Sequence, residues 1–382
     1  MVSYGADLSF RYVQSARVMF GAGVAGEAGL EVKALGCERA LLVTDSFLRG
    51  KTDLCARVEK ALGARLAGIF DGVVPDASVE TIDEGAAMGR RLSADALVSL
   101  GGGSAIDTAK GIAVCLTLGG GIRDHQGTQF LGKRATPHVA IPTTAGTGSE
   151  VSMYVVVKDP VAREKMHYAD ERLIPDVALL DPEVTLGLPP ALTAATGFDA
   201  LTHAVEAYTS TNRNPLSDAQ ALHAIGLVAE HLPRALKDGG DLVARGQMLL
   251  ASNLAGAAMS NSGVGLVHAI AHVVGARHGV HHGAANAIAL PHVIRWNADE
   301  PALAPRYADV AAALGARGGD AADASKALLA RCGLPSRYRD VGVPEADLAA
   351  IAQAAIGDGA IVYNGKFAAE ASLVLGVLRE AW

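Results

Sequence analysis

Between about residue 38 and residue 181 the chain alternates short apolar runs with longer stretches of helical periodicity. Residues 40–44 (ALLVT), 66–70 (LAGIF), 96–100 (ALVSL), 139–141 and 177–180 read as strands, and 52–62, 79–92 and 104–117 as the helices between them. Strands separated by helix-length segments are the pattern of a parallel sheet wrapped by helices. After Asp181-Pro182 the strand signal nearly vanishes. Segments 190–208, 215–238, 241–260, 300–315 and 320–332 are rich in Ala and Leu and carry apolar residues at helical spacing. The pattern predicts an α/β domain with a Rossmann-like parallel sheet over residues 1–185 and an all-α domain over 186–382. Pro182 and the Pro189-Pro190 pair punctuate the chain around the boundary, near 183–188. No internal repeat or low-complexity linker is visible in either part.

A length of 382 residues fits two cores better than one, and half of those residues are apolar. The net charge of −7, with no basic run longer than two residues, gives no electrostatic basis for binding nucleic acid. Cys37, Cys55, Cys115 and Cys332 are scattered without a Cys-x-x-Cys spacing. That argues against a disulfide framework or a thiolate zinc site and fits a reducing cytoplasm. The opening residues, MVSYGADLSFRYVQ, lack the basic start and apolar core of a secretory signal. Between Arg245 and Arg277 no side chain is formally charged, but Asn253, Ser260, Asn261, Ser262 and two histidines interrupt the run. Buried helices around an active site, not a membrane span, are expected there.

Asp199 and His203 in GFDALTHAVEAY stand four residues apart, which puts both on one helical face about a turn from each other. His268 and His272 repeat that spacing in GLVHAIAHVVG, and His282 follows ten residues later. Six of the twelve histidines fall between His268 and His292, so the imidazoles are concentrated where one site could use them. Carboxylate and neutral imidazole suit iron, zinc or manganese better than calcium. One Asp/His pair at this spacing is more often structural than ligating; two pairs with a further histidine favour a divalent metal site.

Gly101-Gly102-Gly103-Ser104 directly follows the 96–100 run, with Asp107 and Lys110 in the first turns of the next helix. Glycines let backbone N–H groups approach a phosphate, and a helix N-terminus adds partial positive charge, so a pyrophosphate fits this loop. The loop is not a G-x-G-x-x-G fingerprint, and a tight strand-to-helix turn is the structural alternative. Asp45 ends LLVTD, where a carboxylate accepts from both ribose hydroxyls and repels a 2′-phosphate, favouring NAD over NADP. It is equally placed to cap a helix. Residues 142–150 (PTTAGTGSE) carry small hydroxyl side chains suited to phosphate and a nicotinamide carboxamide; alternatively they form a polar turn, with Ser149 and Glu150 opening a helix. Three such loops after three strands favour a dinucleotide.

Taken together, GGGSAIDTAKG at 101–111, PTTAGTGSEV at 142–151, GFDALTHAVEAY at 197–208, and GLVHAIAHVVG with HHGAANAIALPHV within 265–293 resemble the iron-containing (group III) alcohol dehydrogenase family. The resemblance runs over most of the chain in the family's order. It implies an N-terminal dinucleotide-binding α/β domain and a C-terminal helical, metal-binding and catalytic domain, in a dehydroquinate synthase-like architecture with the active site in the cleft between them. Asp199, His203, His268 and His282 match the family's four metal ligands, with Fe(II) the first expectation and Zn or Mn accepted by the same donors. His272 matches the histidine implicated in proton transfer. Asp45, Gly102, Gly103, Ser104, Asp107, Thr143, Thr144 and Thr147 match nucleotide contacts, with Lys165 a further one. The implied reaction is reversible hydride transfer between a small primary alcohol and NAD, with the cation acting as a Lewis acid on the alcohol oxygen and His272 relaying the proton. A cytoplasmic homodimer or larger homo-oligomer is expected, acting on a small alcohol or aldehyde and binding neither nucleic acid nor membrane.

Specificity is where the chain departs from the family pattern. Many members carry Asn-Pro-Arg near the C-terminus; here it is Asn364-Gly365-Lys366, within GAIVYNGKF. By position, Tyr154, Met259, Ala360 and Tyr363 are expected to line or approach the substrate pocket. Met259 and its apolar neighbours favour a neutral primary alcohol or aldehyde over a dicarboxylate, and the maleylacetate reductase branch ranks lower because it carries different residues around its histidine helix. A hydroxyacid–oxoacid transhydrogenase or a lyase of the dehydroquinate synthase type would keep the fold and change the reaction. A non-catalytic metal- or nucleotide-binding protein would have no need of His272.

Overall fold

The computed structural model describes all residues except 1–3, 6, 7, 163 and 369. Nine strands are present among the described residues: β1 (Arg17–Phe20), β2 (Ala40–Val43), β3 (Leu66–Phe70), β4 (Ala96–Gly101), β5 (Gly127–Thr128), β6 (His138–Pro142), β7 (Tyr154–Asp159), β8 (Glu164–Ala169) and β9 (Val177–Leu180). Six form one parallel sheet in the order β1-β9-β6-β4-β2-β3. Successive side chains of β2 and β4 serve opposite cores. Leu41, Val43 and Leu97 pack with residues of helices Val79–Arg91 and Gly103–Leu118, whereas Ala40, Leu42, Ala96, Val98 and Leu100 pack with those of Ala28–Ala34 and Leu54–Leu62. Helices on both faces are why these strands read as continuous apolar runs without polar alternation.

The strand order fixes where loops collect. β2 has β3 on one side and β4 on the other, so the winding reverses between β2 and β4. Val43 lies beside Ser99 and Gly101 beside Pro142, which brings the carboxyl ends of β2, β4 and β6 to one edge. Such a reversal is where open α/β sheets bind ligands.

Two features depart from the expected pattern. β1 adds to the sheet beside β9, and β7 and β8 form an antiparallel pair, joined by β5, where the sequence reading had no strand. Val155, Val157, Met166 and Tyr168 turn into the same core as helix Gly103–Leu118, and the Tyr168 hydroxyl donates to the Ile122 carbonyl at 2.9 Å. Ser149 and Glu150 lie in a turn and open no helix.

Residues Val13–Gly187 form one compact unit, and Leu188–Trp382 together with Met1–Tyr12 form the other. The described residues before Val13 thus depart from the expected 1–185 grouping. The Tyr4 hydroxyl donates to Asp218 at 2.5 Å and the Tyr12 hydroxyl to Gln220 at 2.8 Å, both on helix Pro215–Lys237. Within the helical unit, Pro190–Thr209, Pro215–Lys237 and Leu242–Ser262 pack on one another, and Leu266–His278 and His282–Ala298 follow. The stretch without formal charges bends by 104° between Leu242–Ser262 and Leu266–His278, with most of both helices buried. No single helix among the described residues is long and apolar enough to cross a membrane.

Candidate functional site

Asp199 and His203 project from one face of helix Pro190–Thr209, and His268 stands in the first turn of Leu266–His278. His282 is the first residue of His282–Ala298. Gly283 brings that helix onto Pro190–Thr209, because a Cβ there would lie 2.1 Å from the carbonyl oxygen of Ala195, one turn before Asp199. Only glycine permits this approach, which sets His282 against Asp199. One ligand atom each of Asp199, His268 and His282 lies within 4.8 Å of the others.

From Asp199 Oδ1 the Nε2 atoms of His282, His268 and His203 lie at 3.5, 3.8 and 4.0 Å. Four ligands at about 2.1 Å around one tetrahedral cation would be roughly 3.4 Å apart, so the cluster is close to the size a metal requires. Between these acceptors sits the amide of Asn286. Its Nδ2 lies 2.8 Å from Asp199 Oδ1 and 3.4 and 3.2 Å from Nε2 of His268 and His282, while its Oδ1 is buried without a partner. Lone pairs that converge on a donor amide, one of whose own atoms is orphaned, fit a cation. The O and N positions of that amide follow from its hydrogen bonds.

Outer contacts fix the ligands. Glu206, seven residues after Asp199, accepts from Nδ1 of His268 at 2.5 Å and from the Val267 backbone N–H at 2.6 Å, at the N-terminus of the histidine's own helix. This holds a proton on Nδ1 and leaves the Nε2 lone pair facing Asp199. Burial pushes the Glu206 carboxyl up to about 7, against hydrogen bonds from the Gly265 and Val267 backbone that pull it down. Burial likewise holds His268 well below the ordinary imidazole range, in the neutral form a ligand needs. The His203 ring stacks on that of His268, with centroids 4.6 Å apart.

His272, expected to relay a proton, lies next to the cluster. Its ring stacks on His282 at 5.5 Å between centroids, and its Nδ1 is 2.9 Å from Asp358 Oδ2. Met259 is buried in Leu242–Ser262, while half-buried Ala360 and exposed Tyr363 lie on the turn Gly359–Tyr363. Tyr154 starts β7, in the other unit.

In the α/β unit the three loops leave the edge where the winding reverses. Asp45 caps the helix Ser46–Lys51 by accepting from the Leu48 N–H at 2.8 Å. Gly102 and Gly103 open helix Gly103–Leu118 against the threonine loop. A Cβ at Gly102 would meet Thr144 Oγ1 at 3.1 Å, and one at Gly103 would meet Thr147 Cγ2 at 2.7 Å. The Thr143 N–H donates to Gly101 at 3.0 Å, and Ser104 Oγ accepts from the Asp76 N–H at 3.2 Å. Asp107 accepts from the Ser149 hydroxyl and, at 3.3 Å, from the Val156 N–H. Lys110, buried one turn on, donates to the carbonyls of Ser152 and Tyr154 at 2.8 and 3.0 Å. Both therefore hold the segment that follows the threonine loop. Lys165 stands opposite Lys158 across β7 and β8, a placement of like charges that is unfavourable in a sheet.

Residues 15–182 match the family model for iron-containing alcohol dehydrogenase, and residues 193–382 match the C-terminal model of the same family. The chain belongs to the iron-containing alcohol dehydrogenase family. It is 39% identical over 361 residues to the NAD-dependent methanol dehydrogenase of Bacillus methanolicus, covering 92% of this chain and 94% of that one. It is also 39% identical to the 1,3-propanediol dehydrogenase of Klebsiella pneumoniae, covering 95% and 96% of the two chains. Among solved structures, a 1,3-propanediol oxidoreductase superimposes with a TM-score of 0.93 at 37% identity, covering 98% of this chain and all of that one.

Glu206, Asn286 and Asp358 were not recognised as site residues in the sequence. Two of them carried a signal. Glu206 is two helical turns after Asp199, and Asn286 is four residues after His282. Asp358 carried none, since only the fold brings it to His272.

Proposed function

We propose that this protein is a metal-dependent, NAD(H)-linked alcohol dehydrogenase and aldehyde reductase acting on small primary alcohols. The observation that carries this reading is the convergence of Asp199, His268 and His282 on one point, with His203 at its margin and His272 beside it. The relatives' names support the same chemistry, one an NAD-dependent methanol dehydrogenase and another a 1,3-propanediol dehydrogenase. When bound, a divalent cation supplies a Lewis acid for the alcohol oxygen and NAD supplies the hydride acceptor. Fe(II) is the proposed ion, with Zn and Mn as substitutes. Asp199, His203, His268 and His282 would hold it.

The chain's own groups do the rest. Glu206 keeps His268 in its Nδ1–H tautomer, and His272 takes or returns the proton of the substrate hydroxyl. Gly102, Gly103, Ser104, Thr143, Thr144 and Thr147 offer backbone N–H and hydroxyl groups to a pyrophosphate and carboxamide. Lys165 would contribute a positive charge, and Asp107 acts by holding the loop from Ser149 to Val156. Asp45 meets the ribose with its second carboxylate oxygen and disfavours a 2′-phosphate. Met259, Ala360 and Tyr363 of the helical unit would line the apolar part of the substrate pocket. Four unpaired, buried cysteines support a cytoplasmic home, and a homodimer or larger homo-oligomer is the proposed assembly.

Absorbance of NADH and NADPH, followed with the metal-loaded protein over a panel of primary alcohols, diols and aldehydes, tests this reading. Turnover with NAD and short neutral alcohols is expected. A flat trace across the panel with both cofactors would overturn it.

A further inference from the structure

His272 and Asp358 come from distant parts of the helical unit, yet Nδ1 of the one lies 2.9 Å from Oδ2 of the other. Both side chains are largely buried, 19% and 15% exposed. The second oxygen of Asp358 is also engaged, since Oδ1 accepts from the Ala360 N–H at 2.8 Å and caps the turn Gly359–Tyr363. That turn is anchored beyond it. The Tyr363 carbonyl accepts from the Thr211 N–H at 3.0 Å, and the Tyr363 ring covers Gly263, where a Cβ would lie 2.5 Å from it. Asn364 Oδ1 accepts from the Leu266 N–H at 3.2 Å, at the start of the helix that carries His272. One carboxylate thus ties the histidine to a turn that is itself fixed across the bend between two helices.

We propose that Asp358 is a positioning residue for the alcohol reaction: it holds His272 as the Nδ1–H tautomer, presents the Nε2 lone pair as the proton acceptor, and couples that imidazole to the turn bearing Ala360 and Tyr363. This rests on the function proposed above. Oxidation of a primary alcohol by NAD+ removes the carbon-bound hydrogen as hydride and leaves the hydroxyl proton for a base. Nε2 takes that proton, so one N–H bond forms as the O–H bond breaks. An imidazole in the opposite tautomer has no lone pair at Nε2 and cannot accept it. Buried partners that set an imidazole's tautomer are worth about 10–100-fold in activity when altered.

Asp358→Asn separates this role from that of a cap. Asparagine caps helical turns as well as aspartate does, so a residue that served only the turn would tolerate the change. With its oxygen on the Ala360 N–H, however, the asparagine amide would donate to Nδ1 and force the Nε2–H tautomer. The expected result is a fall in kcat of about 10–100-fold. Metal content should match the parent protein, and the solvent isotope effect on kcat should rise as proton transfer becomes limiting. Nitrogen-15 NMR of His272 in metal-free protein should show Nδ1–H in the parent and Nε2–H in the variant. Asp358→Asn with parental kcat, or a parent whose His272 carries its proton on Nε2, would overturn the proposal. If the parent itself turns over no alcohol, the functional reading fails, and the NMR result alone decides whether Asp358 sets the tautomer.

Discussion

His268 has its two ring nitrogens committed in opposite senses, Nδ1 to the buried carboxylate of Glu206 and Nε2 toward Asp199. Removing the ring and removing its support should therefore differ. His268→Ala is expected to abolish metal occupancy and turnover together, measured as metal per chain and NADH formation. Glu206→Gln should retain the fold but weaken metal binding about 10–100-fold in competition with a chelating dye, because the Nδ1 proton loses its acceptor charge. An unchanged affinity would mean that His268 needs no such support. His272→Ala should keep the metal and lose rate, since that ring's partner is Asp358. The histidines were legible in the sequence because imidazoles spaced one helical turn apart are rare enough to notice. Glu206 and Asn286 shared their faces and were passed over, since a Glu or Asn on a helix has many ordinary uses.

Helices and strands place these residues, and two glycines show how closely. Gly283→Ala would drive a methyl into the Ala195 carbonyl, so the helix bearing His282 must move away from Asp199. Metal affinity should fall at least tenfold, on the scale of losing a supporting contact, with little loss of helix content by circular dichroism. Gly103→Ala puts a methyl against Thr147, 2.7 Å from Cγ2. It should weaken NADH binding in a fluorescence titration without affecting metal, and adding Thr147→Ser, which deletes that methyl, should recover much of the loss. In the sheet, His138 of β6 is buried beside Ser99 of β4 at 2.8 Å, and burial, helped by Lys110, lowers its pKa from the ordinary 6.5 to about 3. Between those values the unfolded chain takes up a proton that the folded chain refuses. Its contribution is therefore whole above about pH 6.5 and lost as pH falls toward 3, on the order of a few kcal/mol. Urea unfolding of the parent and of His138→Asn should show a shallower pH dependence in the variant through that window. β2, β4, β6 and β9, buried along their whole length, were legible because strands covered on both faces are apolar throughout, and the part-buried edge strand β3 was legible from its apolar run LAGIF. β1, with Phe20 exposed at the sheet's edge, and the β7–β8 pair, whose outward faces carry Lys158 and His167, lacked that signature.

On the scale of the whole chain, the family models divide as the compact units do, one match ending at residue 182 and the other beginning at 193. The helical unit carries the acceptor cluster and the α/β unit the three loops, and the proposed reaction uses both a metal and NAD. Metal bound only by the folded state should stabilise it by about 2.7 kcal/mol at a hundredfold excess over Kd, visible as a higher Tm. His268→Ala should show no such gain. Whether the Asp/His cluster holds a catalytic metal is tested by NADH formation from a short primary alcohol by chelator-stripped protein, before and after adding back Fe(II), Zn or Mn. No turnover is expected from the stripped protein, with recovery on adding at least one of these ions and no recovery in His268→Ala. Equal activity with and without metal, or full recovery in His268→Ala, would contradict it.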